Sequence, residues 1–169
     1  MKSRNVTTFL TKTLENQHEP QSRIIVLTGA RQTGKTTLAR TLLQFLSIED
    51  PVLRQSYARL TAAQWKELYP KAILDEVQKE PQLVESIKSV YDQWPEPRYV
   101  LTGSSQLLLM DKMRESLAGR CTIVELYPLT LPELETESWQ EPVQPSFFQQ
   151  LLGAPDHTHD VIEHLLPDF

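Results

Sequence analysis

The sequence predicts an α/β fold in three layers, with a mostly parallel sheet that carries helices on both faces. Short apolar runs alternate along the chain with segments of helical periodicity, and this alternation indicates βαβ units. The runs are rich in Val, Ile and Leu, as is typical of strands that are buried on both faces. The predicted strands cover residues 23–29, 45–51, 71–78, 98–105 and 121–128.

Helices are predicted between these strands from apolar residues that recur at helical spacing. The second strand follows its preceding helix almost at once, so a helix of nine or ten residues must give way directly to a strand. Beyond residue 137 the periodicity decays, and we expect a weakly structured tail with one or two short helices. The predicted helices cover residues 4–17, 61–69, 81–94, 105–119 and 129–135, and the helix of nine or ten residues begins at residue 35, where KTTLARTLLQFL has helical spacing.

The composition suits one domain with a substantial core, because 40% of the 169 residues are apolar. The net charge of −5 gives no support for a nucleic-acid partner. No apolar run approaches the roughly 20 residues of a membrane span, so we expect no membrane segment. Cys121 is the one cysteine, which excludes an internal disulfide and fits a cytoplasmic protein.

The strongest motif is the stretch GARQTGKT, which follows a buried strand and precedes a helical segment. Its spacing, G-x-x-x-x-G-K-[ST], is that of a loop whose backbone N–H groups wrap a phosphate chain. Lys35 would reach the β- and γ-phosphates, and the Thr36 hydroxyl would bind Mg²⁺. The predicted phosphate-binding residues are Gly29, Ala30, Arg31, Gln32, Thr33, Gly34, Lys35, Thr36 and Thr37.

A second motif, AILDEVQ, ends a predicted strand in two acids. Ligands of open α/β sheets bind at the carboxyl ends of the strands, so these side chains are expected at the same edge as the glycine loop. Asp75 would hold Mg²⁺ through its water shell. Glu76 would accept a proton from the attacking water.

Two weaker candidates complete the predicted site. Thr102, Ser104 and Ser105 lie near the end of the predicted strand at 98–105, where one of their hydroxyls would sense the γ-phosphate or orient the water. Alternatively, Ser104 or Ser105 would cap a helix. Arg120 would either stabilise transition-state charge or simply end a helix after Gly119. Arginines of the first kind often come from a neighbouring subunit, so a homo-oligomer or another protein partner stays open.

The ordered motifs together resemble one family, the prokaryotic AAA-type P-loop ATPases that usually carry a further C-terminal domain of unknown function. The resemblance covers about residues 4–135 and runs through GARQTGKTTLARTLL, AILDEVQKEPQLVESIKSVYD, RYVLTGSSQLLL, ESLAGR and VELYPLTLPEL. It implies ATP and Mg²⁺ as ligands, and an additional strand between the loop strand and the acidic strand. The resemblance makes GARQTGKT a Walker A motif and AILDEVQ a Walker B motif, and it implies that Ser104 is a sensor-like group.

The chain departs from that family in two places. The region around QFLSIEDP is compressed, which would weaken the sheet edge if the second strand is distorted. The second departure is the tail over residues 138–169, which does not resemble the C-terminal domain of the family.

We therefore expect residues 1–137 to form the ATPase domain and residues 138–169 to form a weakly structured tail. Three interpretations of this arrangement are open: the protein is a natural minimal version of the family, a truncated gene product, or a form in which the tail is a remnant of the second domain.

The leading function is Mg²⁺-dependent binding and hydrolysis of ATP. Alternatives are a nucleotide-binding interaction module with little turnover and, less favoured, a small-molecule kinase on the same fold. The adjacent acids favour activation of water over an external acceptor, and the arginines are too few for a kinase lid. A regulatory GTPase is disfavoured because no N-K-x-D motif occurs.

Overall fold

The computed structural model of the chain describes residues 2, 4–15, 23–103, 115–138, 141–146 and 149. The chain divides into two compact units, Thr8–Pro128 and a smaller unit that combines Met1–Thr7 with Leu129–Phe169. Helix α1 (Asn5–Glu15) starts in the smaller unit and continues into the larger one. In the part of the chain that the structure describes, no helix has the length and apolar character needed to cross a membrane.

A five-stranded sheet forms the centre of the larger unit. In chain order its strands are β1 (Ile24–Thr28), β2 (Gln44–Ser47), β3 (Lys71–Asp75), β4 (Arg98–Thr102) and β5 (Cys121–Glu125). Every pair of neighbours is parallel, and the spatial order is β2-β3-β4-β1-β5. β4 therefore lies between the loop strand β1 and the acidic strand β3, which confirms the predicted additional strand.

The helices of the larger unit connect these strands. They are α2 (Lys35–Ala39), α3 (Pro51–Ala58), α4 (Ala62–Leu68) and α5 (Gln82–Gln93), with a turn of 3₁₀ helix over Val77–Lys79. Two of them start at strong caps. The Asp50 carboxylate accepts from the backbone N–H groups of Val52 and Leu53, and Thr61 forms a capping box with Gln64.

The central strands are buried on both faces, as predicted. All five residues of β1 and of β4 are buried, and only Lys71 of β3 is exposed. Alternate side chains such as Ile24 and Leu74 join a core with α4 and α5, whereas α2 packs against β3 and β4. Helices thus cover the sheet, and the predicted α/β class is confirmed.

Two helix predictions were wrong in the compressed region. Helix α2 has five residues instead of nine or ten, because β2 already begins at Gln44 and residues 40–43 turn the chain into it. Helix α3 was missed, although Asp50 before Pro51 is a helix-start signal: Asp caps the free N–H groups, and Pro suits the first helical position. The predicted helix over 105–119 lies largely outside the described residues.

The smaller unit contains helix α6 (Leu131–Glu135). Glu133 is buried and accepts hydrogen bonds from the backbone N–H groups of Thr130 and Asn5, each at 2.9 Å. Its carboxylate also lies 3.8 Å from the Arg4 guanidinium. These contacts attach the start of α1 to α6. Most of the predicted tail over 138–169 lies outside the described residues.

Candidate functional site

The glycine loop starts where the chain leaves β1 against the end of β5. The backbone N–H of Leu126 donates to the Thr28 carbonyl at 2.8 Å, which draws the two segments together. Gly29 has φ 141°, and a Cβ at this position would lie 2.2 Å from the Leu126 carbonyl oxygen. No side chain fits there, so the first glycine of the motif is required by both conformation and space.

The loop itself is held in an irregular, open conformation. Gln32 (φ 64°) and Gly34 (φ 88°) are both left-handed, and the Thr33 hydroxyl donates to the Ala30 carbonyl at 3.0 Å. A Cβ on Gly34 would meet nothing within 4 Å. The second glycine is therefore set by its backbone conformation, and the space beside it is free for a ligand.

Lys35 lies across the loop that it follows. Its side chain is buried, and Nζ donates to the carbonyls of Gly29 at 2.9 Å and Ala30 at 2.7 Å. Burial lowers the pKa of the Lys35 ammonium from its ordinary value, and the negative charges of Glu76 and Asp75 partly offset this shift. The structure thus holds one cation over the loop, with two carboxylates close enough to affect it.

Asp75, the last residue of β3, is the polar centre of the site. It is 6% exposed, and its two carboxylate oxygens lie 3.2 and 3.1 Å from the Thr36 hydroxyl, which donates to them. The Thr102 hydroxyl at the end of β4 also donates to this carboxylate. The Thr36 hydroxyl and the Asp75 carboxylate are hard oxygen donors of the kind that Mg²⁺ prefers, so this pair fits a magnesium site.

Glu76 follows in a left-handed conformation, with φ 60° and ψ 39°. This conformation is uncommon for a residue that is not glycine, and it lies at the point where β3 gives way to the 3₁₀ turn. The side-chain amide of Gln78 donates to the Glu76 carboxylate. Glu76 is partly exposed, and it therefore combines a fixed side-chain partner with access to solvent.

These elements enclose a cleft of about 740 Å³, a volume within the usual range for small-molecule sites. One wall carries an ion pair between Lys79 Nζ and Glu49 Oε1 at 2.8 Å, and this lysine lowers the pKa of Glu49. The cleft is lined by Arg31, Gln32, Gly34, Lys35, Thr36, Thr37, Glu49, Glu76, Gln78 and Lys79.

Most of the predicted site residues are brought together at this cleft, but not all. Gly29, Ala30 and Thr33 belong to the loop without lining the cleft, and Asp75 lies behind Thr36 without lining it. Arg120 lies instead against α5, where its Nε donates to the Asp92 carboxylate at 2.8 Å. Ser104 lies outside the described residues, so its sensor-like role stays a prediction.

Sequence reasoning missed three lining residues, namely Glu49, Gln78 and Lys79. Gln78 is the last residue of the motif AILDEVQ and Lys79 directly follows it, so their position in the chain was a usable signal. Glu49 follows the short strand β2, and it reaches the cleft only because β2 pairs with β3. Nothing in the local sequence indicated that pairing.

A phosphate-binding loop between a buried strand and a helix, with a carboxylate at the end of a nearby parallel strand, defines a P-loop ATPase-like protein. The sequence matches the AAA domain family (AAA_14) over residues 21–135. The chain therefore belongs to this family.

Two curated proteins are similar to this chain: the uncharacterized proteins Rv2008c of Mycobacterium tuberculosis and Mb2031c of Mycobacterium bovis. Each is 33% identical over 117 residues, which cover 66% of this chain and 26% of the relative. The matched part of the chain thus spans about a quarter of the length of these relatives.

Two solved structures resemble the fold at low sequence identity. Caenorhabditis elegans PCH-2 is 18% identical with a TM-score of 0.47, and the match covers 74% of this chain and 42% of PCH-2. Saccharomyces cerevisiae RIF2 is 14% identical with a TM-score of 0.49, and the match covers 76% of this chain and 57% of RIF2.

Proposed function

We propose that this protein binds ATP together with Mg²⁺ and hydrolyses it to ADP and phosphate. The observation that carries the proposal is that Lys35, Thr36 and Glu76 line one cleft, where the Thr36 hydroxyl donates to the buried Asp75 carboxylate. Lys35 and Thr36 begin α2 after the glycine loop, whereas Asp75 and Glu76 lie at the end of β3, which is not adjacent to β1 in the sheet. Membership of the AAA domain family supports a nucleotide as the ligand.

Catalysis by these residues would consist of positioning and electrostatic stabilisation. The loop N–H groups would hold the phosphates, and Lys35 would neutralise charge on the β- and γ-phosphates. Thr36 and the Asp75 carboxylate would hold Mg²⁺, which would supply further neutralisation of charge on the phosphate oxygens. Glu76 would accept the proton of the water that attacks the γ-phosphorus, while the bond to the β,γ-bridging oxygen breaks.

Phosphate release from ATP by the purified chain, with and without Mg²⁺, tests the hydrolytic part of this proposal. Release that requires Mg²⁺ supports it. Binding of ATP without release would instead support the second candidate, a nucleotide-binding interaction module. The position of Arg120 favours that candidate, because Arg120 pairs with Asp92 and does not line the cleft. Among the described residues that line the cleft, Arg31 is the only arginine.

Replacement of Lys35 by Ala is expected to weaken ATP binding at least about tenfold, since a charged contact to phosphate is lost. Affinity is measured by titration with a fluorescent ATP analogue. Lys12→Ala, an exposed lysine on α1, serves as the matched control and should bind like the wild type. If the two variants bind equally well, the assignment of the phosphate loop fails.

Magnesium dependence is tested at Thr36. The Thr36→Ala variant is expected to lose the strengthening of ATP binding by Mg²⁺, because the hydroxyl ligand is absent. Thr36→Ser keeps the hydroxyl and should retain that strengthening. The measurement is ATP affinity in Mg²⁺ and in EDTA for each variant. Equal Mg²⁺ dependence in the Ala and Ser variants would contradict a role for this hydroxyl.

The wider setting of the activity is part of the same proposal. Residues 1–137 would act as the ATPase domain, and 138–169 as an appended tail. A homo-oligomer or another protein partner would supply the arginine that Arg120 does not bring to the cleft. The low cysteine content supports a cytoplasmic location, and the net charge of −5 does not support nucleic acid as a partner.

A further inference from the structure

Gln78 makes a side-chain contact that neither the phosphate loop nor the magnesium pair explains. Its amide Nε2 donates to the Glu76 carboxylate, and both side chains line the cleft. Glu76 and Gln78 lie on either side of Val77, which is fully buried and anchors the 3₁₀ turn in the core. The contact therefore lies on a backbone segment whose position is fixed by packing.

The oxygen of the Gln78 side-chain amide lies beside the backbone of Gly103, directly after β4. This oxygen, Oε1, is buried and finds no donor among the described residues. A Cβ built on Gly103, directly after β4, would lie 2.6 Å from this oxygen. The amide is thus confined between the Glu76 carboxylate on one side and the Gly103 backbone on the other.

From this geometry we infer that Gln78 is a positioning residue for Glu76, and that Gly103 holds Gln78 in place. The inference rests on the proposed hydrolysis, in which Glu76 accepts a proton from water. Donation from Nε2 occupies Oε2 of the carboxylate and restricts its rotation, which leaves Oε1 to face the water. Gly103 has no side chain, and this lets the amide of Gln78 lie beside the backbone at the end of β4.

The contact itself can be tested without nucleotide. The side-chain amide signals of Gln78 are identified in a ¹H–¹⁵N correlation spectrum as those that vanish in Gln78→Ala. Gly103→Ala should shift these signals, because the new methyl displaces Oε1, and Glu76→Gln should shift them as well, because it removes the charged acceptor. Signals that stay unchanged in both variants would overturn the inference.

Positioning is tested by kinetics of phosphate release. Gln78→Ala is expected to lower kcat about tenfold, as loss of a hydrogen bond to a charged group predicts, while the Kd for ATP changes less than about twofold. Gln78→Glu keeps the length but lacks the donor and repels Glu76, so it should lose at least as much. Gln82→Ala, an exposed glutamine on α5, is the control and should match the wild type.

The link to Gly103 is tested by a double-mutant cycle. Gly103→Ala should lower kcat in the wild-type background and have no further effect in Gln78→Ala, because the displaced amide is already absent. A loss that is equal in both backgrounds would show that Gly103 acts independently of Gln78, and it would overturn that part of the inference.

The outcomes separate this inference from the proposed function. A wild-type chain that releases no phosphate refutes hydrolysis, and the positioning role falls with it. A wild-type chain that releases phosphate, beside Gln78 variants with unchanged kcat, refutes the positioning role alone. Variants that weaken ATP binding as much as they lower kcat/KM would make Gln78 a binding residue, which also contradicts the inference.

Discussion

Replacement of Glu76 by Gln is expected to lower the rate of phosphate release at least about 100-fold while ATP still binds. The amide keeps the size of the side chain and can still accept a hydrogen bond from Gln78 through its oxygen. It cannot take a proton from water at neutral pH. Because Glu76 follows Asp75 without being part of the Thr36–Asp75 contact, the magnesium pair should remain intact in this variant.

The measurement is single-turnover phosphate release together with titration of the fluorescent ATP analogue. Glu67→Gln, an exposed carboxylate on α4, makes the same chemical change away from the cleft and should leave both quantities unchanged. Release at the wild-type rate by Glu76→Gln would show that another group takes the proton. Loss of binding in parallel with release would instead assign Glu76 to the phosphate or metal site.

Replacement of Trp65 by Ala is expected to lower the free energy of unfolding by about 3–5 kcal/mol. Trp65 is fully buried, and its ring lies 5.4 to 6.3 Å, between centroids, from the rings of Tyr57, Tyr69 and Tyr99. These contacts attach α4 to β4, which ends at Thr102 beside Asp75. The indole N–H finds no acceptor among the described residues, so the contribution of Trp65 comes from apolar packing.

This stability loss is measured by urea unfolding followed by circular dichroism. At the size of this chain the expected change corresponds to a fall in Tm of roughly 6–20 °C. Leu68→Ala truncates a residue on the same helix that is 54% exposed, and it should cost less than about 1 kcal/mol. Equal losses for the two variants would mean that the aromatic cluster does not contribute as its burial suggests.

Much of the fold was readable from the sequence because its central strands β1, β3 and β4 are buried on both faces. Such strands appear as continuous apolar runs, and the predicted bounds of these three differ from the observed ones by at most three residues. The half-buried strand β5 was located equally well. The compressed region was read less well. Four residues separate α2 from β2, and only pairing of β2 with β3 decides where the helix must end. Helical periodicity over Leu38, Leu42 and Leu43 suggested a longer helix than this pairing permits.

The candidate site divides in the same way between local and long-range information. Lys35, Thr36, Asp75 and Glu76 belong to two motifs whose spacing is tied to phosphate chemistry, so local sequence was enough to name them. Arg120 was named as an arginine that could stabilise transition-state charge, with a helix end after Gly119 as the alternative. The charge of Asp92, 28 residues earlier on α5, determines its contact instead.

By itself the sequence determined the α/β class, because apolar runs and helical segments alternate along the whole chain. It also named the phosphate loop and the two acids, because each depends on neighbouring residues in one strand or loop. Only the tertiary structure decided which distant residues meet at the cleft. The order β2-β3-β4-β1-β5 brings Glu49 to Lys79 and Gly103 to Gln78. Strand order depends on the packing of the whole sheet, and a contact across it leaves no local pattern in either partner.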